Sequence, residues 1–295
     1  MPSLKEVRIR IASVKSTQQI TNAMKLVSAA KLRRAQESIL KFRPYAAKLK
    51  NILINLSSSI SDNEDNVYAQ KREVEKVLII PISSNRGLCG AFNSNIFKAT
   101  NLLIQNKYAA QNNKNNVFIY TIGKKSYEYF SKRNYNVVDN NAAIFDNITF
   151  DNVSEIAQSI MNDFTTRKYD KIEVIYNQFK NAAVQILTTE QFLPIDLSSI
   201  KTTTANEVES DYIFEPNKEV LVNQIIPKSL KIQFYKMILD TYASEHGARM
   251  TAMHKATDNA ADLIKELMLT YNKARQASIT KEILEIVGGA EALKG

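Results

Sequence analysis

LKEVRIRIASVKSTQQITNAMKLVSAAKLRRAQESILKF, Leu4 to Phe42, opens a stretch of helical periodicity that continues to Ile60. Apolar side chains stand at Leu4, Val7, Ile11, Val14, Ile20, Met24, Val27, Ile39, Leu49, Leu53, Leu56 and Ile60. Most gaps are three, four or sums of these, the spacing that lines up one helix face. Leu230 to Ile286 repeats the pattern at Leu230, Phe234, Met237, Met250, Met253, Ala260, Leu263, Leu267, Tyr271, Ile279, Ile283 and Ile286. At about 1.5 Å per residue each helix runs roughly 85 to 90 Å, well beyond the width of a small domain. Neither helix can bury its stripe alone. The economical arrangement pairs first with last as a long antiparallel coiled coil, and a rod built from both termini points to a mechanical or scaffolding role.

Between the two helical stretches, strand and helix patterns alternate. Lys76–Ile82 (KVLIIPI), Val117–Gly123 and Lys171–Phe179 read as strands, and Ala183–Phe192 as a further strand joined by a tight turn. Ser94–Gln111, Lys124–Arg133 and Val153–Lys168 read as helices, with a weaker strand and loop over Asn136–Phe145. The fold class is therefore α/β with a partly parallel sheet, flanked by the coiled coil. The expected division is 1–60, 74–197 and 212–295, with polar linkers at Ser57–Glu73 and Ser198–Asp211. Pro44 is expected to kink or end the first helix, and Pro227 and Gly247 to weaken the last one.

Composition narrows the chemistry. The chain has 295 residues, 44% hydrophobic, one cysteine (Cys89) and two histidines (His246, His254). One cysteine supports neither a disulfide framework nor a four-ligand zinc site within one chain. No apolar run approaches the roughly 20 residues of a membrane span, and the basic N-terminus reads as part of the helix rather than as a signal peptide. The net charge is +9. Residues 1–60 carry twelve basic side chains against Glu6 and Glu37, or +10, so the rest of the chain is close to neutral. Such a helix is either solvated or meets an acidic partner. Aromatics do not interleave with these charges, and no zinc-finger, RNP-type or KH-type signature accompanies them, which argues against nucleic acid.

SSNRGLCGAFN, Ser83–Asn93, follows a strand and precedes a helix, the place where α/β folds bind phosphate. It matches neither G-x-x-x-x-G-K-[ST] nor G-x-G-x-x-G, so it reads as a structural turn or partner contact. No histidine is near Cys89 in sequence, Ser83 and Ser84 have no evident base, and no carboxylate pair can be placed across a cleft. No catalytic, cofactor-binding or metal-binding residue is assigned.

Three blocks resemble the gamma subunit of F-type ATP synthases: ITNAMKLVSAAKLRRAQ (Ile20–Gln36), SSNRGLCGAFN, and ASEHGARMTAMHKATDNA (Ala243–Ala260) with LIKELMLTYNKARQASITKEILEIVGGAEAL (Leu263–Leu293). ITKEILEIVGGAEA, Ile279–Ala292, carries the family's signature: an I-T-x-E start, an acidic residue three on, and G-A near the end. Residues 101–210 hold no comparable motif. The family commonly has Asp where Asn85 stands and a Leu-Leu-Pro-like segment where Ile225, Ile226 and Pro227 stand.

The resemblance implies terminal helices in an antiparallel coiled coil and a central, Rossmann-like α/β domain. It implies a rotor shaft, itself without nucleotide sites or cofactors, that couples c-ring rotation to conformational cycling of the beta subunits. The implied partners are the alpha and beta subunits, epsilon and the c-ring. The implied place is peripheral, on the cytoplasmic face of the bacterial plasma membrane, without a span. It places beta-subunit contacts among Lys5, Arg8, Arg10, Lys15, Met24, Lys25, Arg275 and Gln276, and foot contacts to epsilon and the c-ring at Tyr212, Phe214 and Glu215. Two other readings remain: a basic coiled-coil scaffold for nucleic acid, which a steep salt dependence of DNA binding would reveal, and an enzyme using the glycine-containing loop, which nucleotide binding would reveal.

Overall fold

The computed structural model describes residues 3–60, 67–70, 72–195 and 218–292. Helix α1 spans Leu4–Ile60 and helix α6 spans Lys218–Ala292. Both are unbroken: Pro44 lies inside α1 and Pro227 inside α6, so neither proline ends its helix. The chain forms two compact units, 1–28 with 249–295, and 29–248.

In the first unit α1 and α6 run antiparallel. The Arg8 guanidinium donates to the Tyr271 hydroxyl at 3.0 Å, and the Thr21 and Thr257 hydroxyls meet at 2.9 Å. Val7, Thr21 and Ser28 of α1 are buried, as are Met253, Ala260 and Leu267 of α6. Within each helix these positions recur every seven residues, the repeat of a left-handed coiled coil. This corrects part of the expected stripe. Ile20 and Val27 are each 58% exposed, and the seam beside them is filled by Thr21 and Ser28 instead. One residue is a rotation of about 100° around a helix, so a heptad fixed by Val7 carries 21 and 28 inward and 20 and 27 outward. The buried hydroxyls are not stranded, because Ser28 and Thr257 donate to the carbonyls of Met24 and Met253 one turn back. Ile279, Ile283 and Ile286 are exposed as well. α1 starts at Leu4, so the register set by Arg8–Tyr271 runs out of partner a few residues beyond Tyr271.

The second unit is built on a five-stranded sheet: β1 (Val77–Pro81), β2 (Val117–Thr121), β3 (Val137–Asn140), β4 (Lys171–Phe179) and β5 (Gln185–Leu193). The order is β3-β2-β1-β4-β5, with β5 antiparallel to β4 and the other pairs parallel. VLIIP is buried throughout because both faces of the central strand are covered. Leu78, Ile80 and Val174 face α5 (Phe150–Thr165) and the α6 residues Leu230, Phe234, Met237 and Ile238. Val77, Ile79 and Ile119 face α2 (Phe92–Lys107) and Phe130 of α4 (Lys124–Ser131). The short α3 (Ala109–Asn113) leads into β2, and Thr149 caps α5 by accepting from the Asn152 amide. Here too α1 and α6 touch: Phe42 meets Tyr235 edge-on at 5.1 Å, and Lys228 lies over Tyr45 at 5.9 Å.

Candidate functional site

Two places were singled out by the sequence: the basic end of α1 and the loop after β1. In the first unit Lys5, Arg8, Arg10 and Lys15 are exposed, and Met24 and Lys25 are half-buried beside the polar seam. Arg275 and Gln276 are exposed on α6, a turn beyond Tyr271. The cations of α1 are not neutralised by α6. The ion pairs of α6 here lie within its own surface, His254–Asp258, Asp262–Lys265 and Lys281–Glu285. None of these three crosses between the two helices. Arg8 stacks over Tyr271 at 5.9 Å while bonding its hydroxyl, and an open groove beside them is lined by Ile11, Met268 and Asn272. The unit thus offers a positively charged helix pair whose charge is free to meet anions. Tyr212, Phe214 and Glu215 lie outside the described residues.

In the second unit the loop after β1 stands where a doubly wound sheet places a dinucleotide: at the strand ends, beside a helix N-terminus. A phosphate there would need the first free amides of a helix. Those of α4 are already used. The Lys124 amide donates to Asn85 Oδ1 at 3.0 Å and the Ser126 amide to Ser83 Oγ at 2.8 Å. Asn85 Nδ2 in turn donates to the Ala142 carbonyl at 2.8 Å, so this side chain ties three segments together. Ser84 and Asn93 close the loop on themselves: the Ser84 amide donates to Asn93 Oδ1, and Asn93 Nδ2 to Ser84 Oγ. Cys89 is buried, with Asn93 Nδ2 3.3 Å from its sulfur. Leu88, held at φ 63°, projects from the loop and is exposed, as is Arg86. The α4 side of the crevice is thus filled by the chain's own oxygens, whereas α2, into which the loop leads, has no side-chain cap at Ala91.

One polar cluster was not foreseen. Glu173 on β4 is buried and accepts from the Tyr108 hydroxyl and Lys107 Nζ, both at 2.5 Å, with Lys171 Nζ 3.9 Å away. Burial first, and then Glu173, pushes the Tyr108 phenol well above its ordinary range. Burial, and then the charge of Lys107, pushes Lys171 below its own. An acid at alternate spacing in a strand of apolar residues (Ile172, Val174) was the available signal, but its partners on α2 are some 65 residues away. Among the described residues no group of three or more His, Cys, Asp or Glu could hold a metal, and no helix is long and apolar enough to cross a membrane.

Comparison with known proteins covers the whole chain. A family profile described as ATP synthase matches residues 3–293. The ATP synthase gamma chain of Cytophaga hutchinsonii is 57% identical over 293 residues, 99% of each chain. That of Flavobacterium psychrophilum is 57% identical over 298 residues and the full length of both. Among solved structures, a chain of the Euglena gracilis mitochondrial ATP synthase (OSCP/F1/c-ring) has the same fold, with TM-score 0.67 at 22% identity over 98% of this chain and 94% of that one. A chain of the Tetrahymena thermophila mitochondrial ATP synthase central stalk and c-ring gives 0.58 at 26% identity, over 80% and 99%. On matches of this length and identity, the chain belongs to the ATP synthase gamma chain family.

Proposed function

We propose that this chain is the central rotor shaft of a proton-translocating F-type ATP synthase, and that it carries no catalytic site itself. Residues 1–60 and 212–295 form the shaft, and 74–197 the α/β domain near its foot. The shaft stands inside the ring of alpha and beta subunits, with the foot on epsilon and the c-ring at the cytoplasmic face of the membrane. Proton flow turns the c-ring and shaft together. The turning shaft offers each beta subunit a different surface in sequence, and a ligand that binds one conformation of its partner better than another shifts that partner's equilibrium.

The observation that carries this reading is the helix pair of the first unit: a heptad-packed rod with an unneutralised basic side. Lys5, Arg8, Arg10, Lys15, Met24 and Lys25, with Arg275 and Gln276, are the residues we assign to beta contacts. Tyr212, Phe214 and Glu215 are assigned to the foot. The occupied α4 amides beside the loop after β1, and the lack of a phosphate-binding motif in that loop, support the absence of nucleotide chemistry.

The test is reconstitution. Alpha and beta subunits with this chain should form a complex in which a bead on the α/β domain turns as ATP is hydrolysed, while the chain alone neither binds nor hydrolyses ATP. Failure to co-assemble, or turnover by the pure chain, would sink the proposal. Reversing Lys5, Arg8, Arg10 and Lys15 together should weaken assembly or ATP-driven pumping. Single reversals should not, since exposed pairs contribute about 0 to 1 kcal/mol.

A further inference from the structure

β1 is paired with β4 only as far as Ile175. Beyond it, Tyr176–Phe179 and Gln185–Thr188 continue as a two-stranded ribbon, closed by a turn in which Asn181 Oδ1 accepts from the Ala183 and Val184 amides. A ribbon of two strands is marginal by itself. This one lies along α6. Phe192 packs on Phe234, with ring centroids 5.4 Å apart. Glu190 accepts from Gln233 Nε2 at 2.7 Å and from the Tyr176 hydroxyl at 3.0 Å. The buried Ser244 hydroxyl donates to the Asn177 carbonyl at 2.9 Å. At the far end a Cβ on Gly247 would lie 3.1 Å from the Ala182 carbonyl oxygen and 3.2 Å from its Cα. The turn backbone therefore rests on a helix position without a side chain. A glycine in a helix interior costs about 1 kcal/mol relative to alanine, and close approach of another backbone is what such a residue permits.

Positions 233, 240, 244 and 247 are three, four or seven apart, so they form one line on α6. Asp240 completes the line by its charge acting on Tyr176. A helix held along one line by a hydrogen bond at each end and a side-chain-free seat at the tip cannot turn about its own axis without breaking all three. The second unit ends at Ala248, one residue past the seat. We propose that the β4–β5 ribbon is a key that fixes the angular setting of α6 on the sheet, with Gly247 as its slot and Ser244 as its latch. This rests on the rotor reading, in which α6 runs on past the sheet as part of the shaft that the beta subunits meet. Gly247 and Ser244 are thus positioning residues, distant from any reacting atom.

The test uses the assembled alpha–beta–gamma complex with a bead attached at Lys98→Cys on α2, and reads the angle of the bead at the pauses during ATP hydrolysis. Gly247→Val and Ser244→Ala should each shift or broaden the pause angles, the first more than the second. Glu128→Gln, on the exposed face of α4, should leave them as in the parent. Gly247→Ala, which adds the Cβ alone, should fall between the parent and Gly247→Val. A mere loss of stability would lower the number of turning complexes and leave the angles of those that turn unchanged, and that result would overturn the proposal. Should Gly247→Val fail to assemble, unchanged angles in Ser244→Ala overturn it as well. A parent complex that does not rotate refutes the rotor reading instead, so the two failures are distinguishable.

Discussion

Substituting alanine at Gly123, Gly90 and Gly87 in turn should give graded effects on stability, a large loss, a smaller loss and none, each traceable to a different physical cause. Gly123 has φ 99° and ψ 144°, a region reserved almost wholly for glycine, and occupying it with alanine costs about 1 to 3 kcal/mol. A Cβ there would also lie 2.1 Å from the Ser83 carbonyl oxygen. Ser83 cannot retreat easily, because its amide donates to the Ile122 carbonyl at 2.8 Å and its hydroxyl caps the Ser126 amide at 2.8 Å. Displacing it leaves at least one buried polar group unpaired, about 1 to 3 kcal/mol more. The sum is about 2 to 6 kcal/mol, a large part of the 5 to 15 kcal/mol that typically holds a domain together. Gly90 has φ 61° but open space around its Cβ, so only the backbone term remains, about 1 to 2 kcal/mol. Gly87 has neither constraint, and alanine there should be neutral or stabilising by up to about 1 kcal/mol through the unfolded chain. Urea unfolding of the full chain, followed by tyrosine fluorescence and far-ultraviolet circular dichroism, measures all three. If Gly123→Ala falls within about 1 kcal/mol of Gly87→Ala, the self-filled crevice is not as tightly held as these distances require.

Alkaline pH should unfold the second unit. Burial raises the phenols of Tyr108, Tyr120, Tyr169 and Tyr176 above their ordinary value of 10.0, so the stability that their neutral forms contribute is complete below pH 10 and is lost as pH rises past it. Lys171, whose folded pKa is lowered, acts in the opposite direction as pH approaches 10.5, so Tyr108→Phe should flatten the decline above pH 10 in a pH series of urea midpoints. In the helix pair, Thr21→Val with Thr257→Val should change stability by less than about 1 kcal/mol, since both hydroxyls leave together; a loss above 3 kcal/mol in thermal melts would contradict this. Removing residues 287–295 should leave ATP hydrolysis by the assembled complex largely intact, whereas Arg275→Glu with Gln276→Ala should impair it. The reverse ranking would refute the assignment of Arg275 and Gln276 to beta contacts.

Element type was legible wherever burial has one cause. VLIIP is apolar at successive positions because both sheet faces are covered, and the α5 stripe Val153, Ile156, Ile160 and Phe164 faces a single core. The effect of proline was less so: α1 runs on through Pro44, where a kink or an end was expected. At the loop after β1, the missing phosphate motif pointed correctly to a turn. Nothing in SSNRGLCGAFN, however, reveals that Asn85 reaches both Lys124 and Ala142, because those contacts are made by the fold and not by the neighbouring sequence.

The shaft seam shows a deeper limit. Hydrophobic periodicity locates the most apolar line on a helix and assumes that it faces the protein's own core. Between Val14 and Leu32 the most apolar line of α1 contains Ile20 and Val27, both exposed, with the exposed Leu26 beside it, while the line facing α6 contains Thr21 and Ser28. Two lines compete, and only the second keeps the seven-residue repeat begun at Val7. Small hydroxyl residues suit that inner line, since they bond their own helix and let the axes approach. The outer line has no partner within the described chain, and an isolated protein has no use for exposed isoleucine, leucine and valine beside lysines and arginines. A shaft enclosed by other subunits does: its inner line must hold the two helices together, and its outer line must present to the ring a surface that is apolar enough to exclude water and charged enough to be oriented. On this reading the sequence-level error at Ile20 and Val27 marks where α1 stops serving its own fold and starts serving the assembly. The measurement that decides it is solvent accessibility in the complex: cysteine-directed labelling at Ile20→Cys and Val27→Cys should be fast in the free chain and slowed at least tenfold once alpha and beta subunits are added. Equal labelling rates in both would mean that these side chains face water throughout, and the outer line would then need another explanation.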